Sequence, residues 1–96
     1  MLKGKEKRYL RSLAHHLTPI FQVGKGGVNE NMIKQVIDAL EARELIKISV
    51  LQNCELDVKS AAAMIAEGAK AEVAQTIGRT IVLYKESVEN KQIVLP

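Results

Sequence analysis

The sequence predicts one α/β domain of α+β character: a four-stranded mixed sheet packed with three helices, in the order α-β-α-β-α-β-β. Three observations carry this. Segments with helical apolar spacing alternate with segments of strand period. The last two strand segments are joined by two residues, glycine first. And 96 residues are enough for one core and too few for two, so residues 1–96 read as a single domain.

The first helix is expected from about Lys3 to His16. Leu10, Leu13 and Leu17 recur at i, i+3, i+7 beside Tyr9, a single apolar stripe. Thr18-Pro19 ends it, because a residue before proline is pushed out of the helical region. Ile20 to Val23 reads as a short strand. Ile33, Val36, Ile37 and Leu40 then mark a second helix from Asn29 or Glu30 to Arg43, with Asn29 as its N-cap. Leu45 to Leu51 has strand period, and Ile46, Ile48 and Val50 form its cleaner apolar face. Asp57 can cap a third helix running through Ala69, with Val58, Ala61, Ala62 and Ile65 inward. Glu72–Ile77 and Thr80–Tyr84 flank Gly78-Arg79, the pattern of a type II′ hairpin. After a polar run, Ile93-Val94-Leu95 is expected to cover a sheet edge. The strand–helix–strand links should cross over right-handed.

Composition removes several classes of function. The hydrophobic fraction is 47% and the charged fraction 26%, ordinary for a globular chain. No apolar run reaches the roughly 18–20 residues of a membrane span, and the charged start does not resemble a signal peptide. The lone Cys54 cannot form an internal disulfide, so the chain reads as cytoplasmic. Tyr9, Phe21 and Tyr84 are the only aromatics. That is too few for base-stacking platforms or an aromatic cofactor pocket.

Charge is unevenly placed. Residues 1–27 carry Lys3, Lys5, Lys7, Arg8, Arg11 and Lys25 against Glu6 alone, a local net of +5 within an overall +3. Lys3, Lys7 and Arg11 follow at i, i+4, i+8 and stack along one face of the first helix, with Arg8 farther round. A basic ridge of this kind suits phosphates; it also suits a helix face kept soluble.

Gly24-Lys25-Gly26-Gly27 fits G-x-x-G, directly after a strand and directly before a helix. A helix N-terminus offers unpaired N–H groups and the positive end of the dipole, and glycines allow close backbone approach. Lys25 adds a point charge. The Walker pattern is absent, and the dinucleotide pattern would need glycine where Asn29 stands. A clamp on a nucleic-acid backbone remains, as in KH domains, although there the loop joins two helices. Asn29 and Asn31 are placed to hydrogen-bond a base or a 2′-OH.

No catalytic or metal constellation emerges. His15 and His16 point about 100° apart on a helix and do not share a metal easily; a place at the positive-seeking helix C-terminus explains them better. Cys54 lacks a histidine base in the sequence around it and reads as filler. Glu30, Asp38, Glu41 and Glu44 read as the solvated face of the second helix, and Met32 and Met64 as core. No metal or small-molecule cofactor is expected.

Four separated segments also carry a resemblance: Leu13 to Ile20, Val23 to Val28, Glu44 to Ile48, and Ile77 to Tyr84. Together they resemble the CRM domain, in its free-standing bacterial YhbY-like form, over nearly the whole chain. The resemblance implies an RNA-binding fold related to the C-terminal domain of a bacterial translation initiation factor. It also implies a link to precursors of the large ribosomal subunit, since bacterial members have one; plant members act in group II intron splicing. RNA binding in the family is ascribed to the G-x-x-G loop and nearby basic surface. Here those are Gly24, Lys25, Gly26 and Gly27, with Lys3, Lys7 and Arg11; Arg8, farther round the first helix, is expected to join the RNA-binding set. The expected protein is therefore a non-enzymatic, monomeric binder of structured ribosomal RNA or a pre-large-subunit particle. The alternatives are an adaptor whose basic surface meets an acidic protein, and a small nucleotide enzyme.

Overall fold

The computed structural model describes residues 2–96. Its elements are α1 (Gly4–Ala14), β1 (Pro19–Val23), α2 (Glu30–Arg43), β2 (Leu45–Val50), α3 (Val58–Ala69), β3 (Glu72–Ile77) and β4 (Thr80–Tyr84). The sheet order is β1-β2-β4-β3. β1 lies parallel to β2, and β4 runs antiparallel to both β2 and β3. β1, β2 and β3 therefore all point the same way. Their C-terminal ends gather the β1–α2 loop, the β2–α3 loop and the β3–β4 turn at one end of the sheet.

The strand period decides which side each residue serves. Ile46, Ile48 and Val50 of β2 join Val23, Ile81 and Leu83 under α2 and α3, which contribute Val36, Leu40, Ala61, Ala62 and Ile65. Cys54 is buried in the same core. On the opposite face Leu45, Ala74, Val82 and Tyr84 pack with Leu2, Leu10 and Ala14 of the first-helix region. The helix caps are as the sequence predicts. Asn29 Oδ1 accepts from the Met32 amide at 2.8 Å, and Asp57 Oδ1 from the Ser60 amide at 2.6 Å. Each cap contributes about 1 kcal/mol. Gly78 has φ +56° and Arg79 lies outside the positive-φ region, the backbone pattern of a type II′ turn.

Several expectations are corrected. α1 stops at Ala14, with His15 as its C-cap, because the chain turns there and Leu17 donates back to the Ala14 carbonyl at 2.9 Å. Leu17 thus leaves the apolar stripe and is 37% exposed. Met64, expected in the core, is 46% exposed; Ala61, Ala62 and Ile65 take the inward face of α3. Ile93 and Leu95 pack on the α1 side of the sheet, with Ile93 beside Ile20 of the edge strand β1.

The largest correction concerns Glu41 and Glu44. They do not form a solvated face: they hold the C-terminal segment. Glu44 is fully buried and accepts from the amides of Ser87, Gln92 and Ile93. Glu41 accepts from the amides of Val88 and Glu89 and from the Ser87 hydroxyl. These bonds hold the Glu41 carboxyl down at about 2. For Glu44, burial pushes the carboxyl up, but the three amides together with Lys91 outweigh it and the net shift is downward.

At Gly68, α3 packs directly against Ile33 of α2. A Cβ there would lie 2.8 Å from Ile33 Cδ1 and 3.2 Å from both Cγ1 and Cγ2. Gly68→Val is expected to destabilise the fold by about 1–3 kcal/mol through overpacking. Urea unfolding should show a lower midpoint with an unchanged slope.

Candidate functional site

The glycine loop closes as a turn. The Gly27 amide donates to the Gly24 carbonyl at 3.0 Å, with Lys25 and Gly26 at the exposed tip. Gly27 has φ +69°, where a side chain would be strained. Gly26 has open space around it, and a Cβ on Gly24 would meet Leu51 and Asn53 only at ordinary contact distance. Of these glycines, then, Gly27 is the one that the backbone conformation requires.

The turn determines which amides remain for a ligand. The Gly27 N–H is engaged in the turn and the Met32 N–H is capped by Asn29. Among the described residues, the Gly26, Val28 and Asn29 amides have no protein acceptor. The first N–H groups of α2, on Glu30 and Asn31, are also unpaired by helix geometry. Gly26, Asn29 and Asn31 line a shallow cavity of about 320 Å³ that Phe21, Gln22, Gly24, Gly27, Met32 and Gln35 complete, while Val28 and Glu30 border the neighbouring groove between α2 and α3. Asn31 thus shares one cavity with the glycines. Asn29 does too, with its side-chain oxygen committed to the cap.

The first-helix cations do not line this cavity. Lys3, Lys7, Arg8 and Arg11 are all exposed, but α1 packs over β2, β3 and β4, on the sheet face opposite α2 and α3. Arg11 lies at the end of α1 that approaches Lys47 and Ile77, toward the loop end of the sheet. Lys3, eight residues earlier, is about 12 Å farther along the helix.

One residue at this site was not legible as such in the sequence. Arg79 Nε donates to the Val50 carbonyl at 2.8 Å and Nη2 to the Leu51 carbonyl at 2.7 Å. Leu51 in turn donates to Val23 at 2.8 Å and its side chain backs Gly24. The hairpin turn thereby fastens the β2–α3 loop, and that loop braces the glycine loop. The available signal was the position of Arg79 in a turn at the same sheet end as Gly24, which only the topology reveals.

Residues 2–85 match the CRS1 / YhbY (CRM) domain family. This chain belongs to that family. Over all 96 residues it is 71% identical to a Bacillus subtilis protein named "Probable RNA-binding protein YqeI", with both chains fully covered. It is 38% identical over 95 residues to a Haemophilus influenzae protein named "RNA-binding protein", covering 99% of this chain and 95% of the other. The solution structure of the Staphylococcus aureus hypothetical protein SAV1595, described as a candidate RNA-binding protein, matches with a TM-score of 0.83 and 61% identity over the full length of both chains. The fold is therefore that of a CRM domain: three helices on a four-stranded mixed sheet. Among the described residues, no helix is long and apolar enough to cross a membrane.

Proposed function

We propose that this protein is an RNA-binding domain, spanning residues 1–96, that grips an RNA backbone at the Gly24–Gly27 loop. It acts by binding and not by catalysis. The observation that carries the reading is the cluster of unpaired amides at Gly26, Val28 and Asn29, beside the exposed Lys25, at the N-terminus of a 14-residue helix. The names of the relatives from Bacillus and Haemophilus support RNA as the partner. Gly24 and Gly26 keep side chains out of the way, Gly27 sets the turn, and Lys25 adds charge. Asn31 is free to read a base edge or 2′-OH. Lys3, Lys7, Arg8 and Arg11 extend the positive field on the other sheet face. The RNA we propose is structured ribosomal RNA in a precursor of the large subunit, with the protein acting there as a cytoplasmic monomer. The link to the large subunit is the one that the resemblance to bacterial members of the family implies.

The test is a filter-binding salt series with large-subunit ribosomal RNA, a mixed-sequence RNA hairpin and the matching DNA duplex. About four neutralised phosphates should give a log–log slope near −3, with ribosomal RNA preferred to DNA at equal salt. Equal, weak binding to all three would contradict the reading and favour an adaptor for an acidic protein.

Arg79 supplies a second expectation. Arg79→Gln removes both carbonyl contacts, so affinity should fall severalfold, because the wall behind Gly24 loosens. The salt slope should stay unchanged, because no phosphate contact is lost. The stability cost should be about 1 kcal/mol. Parallel binding and thermal unfolding measurements check both.

A further inference from the structure

The face of the sheet that carries α1 is only partly covered. Leu45, Ala74, Val82 and Tyr84 are buried beneath the helix, but α1 ends at Ala14 and Ile77, farther along β3, is 59% exposed. A groove of about 550 Å³ lies at this boundary, formed by Arg11, Ser12, His15, Lys47, Gln75 and Ile77. We infer that this groove holds a second stretch of the same RNA backbone, beyond the part gripped by the glycine loop. The inference rests on the RNA reading above and adds a second contact surface to it.

The chemistry is one-sided. Arg11 and Lys47 bring two positive charges, His15 and Gln75 bring hydrogen-bonding groups, the Ser12 hydroxyl donates back to the Tyr9 carbonyl, and no acidic residue borders the groove. Lys47 is the most telling. It sits at the middle of β2, on the side where Leu45 is buried, and an apolar residue there would simply extend the core. Its backbone pairs within the sheet, but among the described residues its side chain has no ion-pair or hydrogen-bond partner. A half-buried cation on a central strand, facing an open groove, is suited to an anionic ligand. Exposed Ile77 offers an apolar surface to a ribose or base.

The groove is also connected to the loop. Gln22, Ser49, Thr80 and Ile77 pair in register, one from each strand. They form a largely polar row across the sheet, from the strand that enters the glycine loop to the groove. With strands about 4.8 Å apart this row spans roughly 14 Å, a few nucleotides of backbone. An RNA strand leaving the loop can follow it without crossing an acidic side chain of the row.

The test uses the mixed-sequence RNA hairpin in a salt series, with wild-type protein, Arg11→Gln/Lys47→Gln, Lys25→Glu, and Lys70→Asn. Lys70 is a cation at the C-cap of α3, under the other face, where asparagine tolerates its left-handed backbone. The groove variant is expected to bind about tenfold more weakly at low salt, with the slope reduced by about 1.5 for two lost phosphate contacts. Lys70→Asn should bind as wild type. If Lys47→Gln compromises the fold, Arg11→Gln/Ile77→Ser changes only exposed positions and should show the same weakening. Wild-type affinity and slope in the groove variants, with Lys25→Glu impaired, would overturn the groove and leave the loop standing. Equal losses in Lys70→Asn would also overturn it, by showing a response to net charge alone. No effect from any variant, Lys25→Glu included, would remove the RNA reading and the groove together.

Discussion

Lys25→Glu is expected to weaken RNA binding well over tenfold while leaving the fold intact. Lys25 is exposed at the tip of the turn, and neither its side chain nor its amide holds another part of the protein. Reversing its charge should therefore not disturb the core. At the interface the change is twofold: a charge-assisted contact of about 1.5–3 kcal/mol is lost, and a carboxylate now faces phosphate. Every 1.4 kcal/mol is tenfold in affinity, so the lost contact alone predicts about tenfold or more. Gly26→Ser is a useful companion: Gly26 has open space around it, so the fold should be unchanged, while a side chain intrudes where the RNA backbone approaches and should weaken binding. Gly27→Val should impair it, because Gly27 holds φ +69°. Fluorescence anisotropy with a ribosomal RNA fragment measures all three, with circular dichroism to confirm folding.

The second large effect concerns stability. Glu44→Gln is expected to cost roughly 3 kcal/mol or more. The carboxylate accepts from three backbone amides, Ser87, Gln92 and Ile93, in a fully buried setting. A glutamine side chain turns an N–H₂ toward some of these donors, and each unsatisfied buried donor costs about 1–3 kcal/mol. For a domain of this size the loss corresponds to a drop in Tm of more than about 10 °C. The same carboxylates give a pH dependence. Both Glu41 and Glu44 titrate lower in the folded chain than their ordinary 4.5, Glu41 at about 2. Their contribution is therefore complete above about pH 4.5 and is lost as pH falls toward 2. Hydrogen exchange at Val88, Glu89 and Ile93 should accelerate over that window, before the amides of β2 and β4 lose protection.

The contrast between these two cases shows what the sequence could reveal. Local signals were legible: Asn29 and Asp57 as caps, Gly78-Arg79 as a hairpin turn, and the alternation of Ile46, Ile48 and Val50. Each depends on residues within a few positions of one another. The glycine loop was legible for the same reason, since strand, glycines and helix are contiguous. Glu41 and Glu44 were misread because their partners lie more than 40 residues away, and helix periodicity alone assigns an acidic side chain to solvent. Arg79 escaped for a similar reason: its contacts to Val50 and Leu51 arise only once β4 inserts between β2 and β3. The first-helix ridge was visible as a ridge, but which sheet face it occupies depends on packing that no local pattern records.

The central claim is that the unpaired amides of the glycine loop meet RNA. The most direct measurement is an amide NMR titration of the ¹⁵N-labelled protein with a large-subunit ribosomal RNA fragment. The largest early shifts should fall on Gly26, Val28, Asn29 and Asn31, with Lys70 at the C-cap of α3 unmoved. A titration that leaves those four amides in place, while shifting residues elsewhere or none at all, would contradict the account.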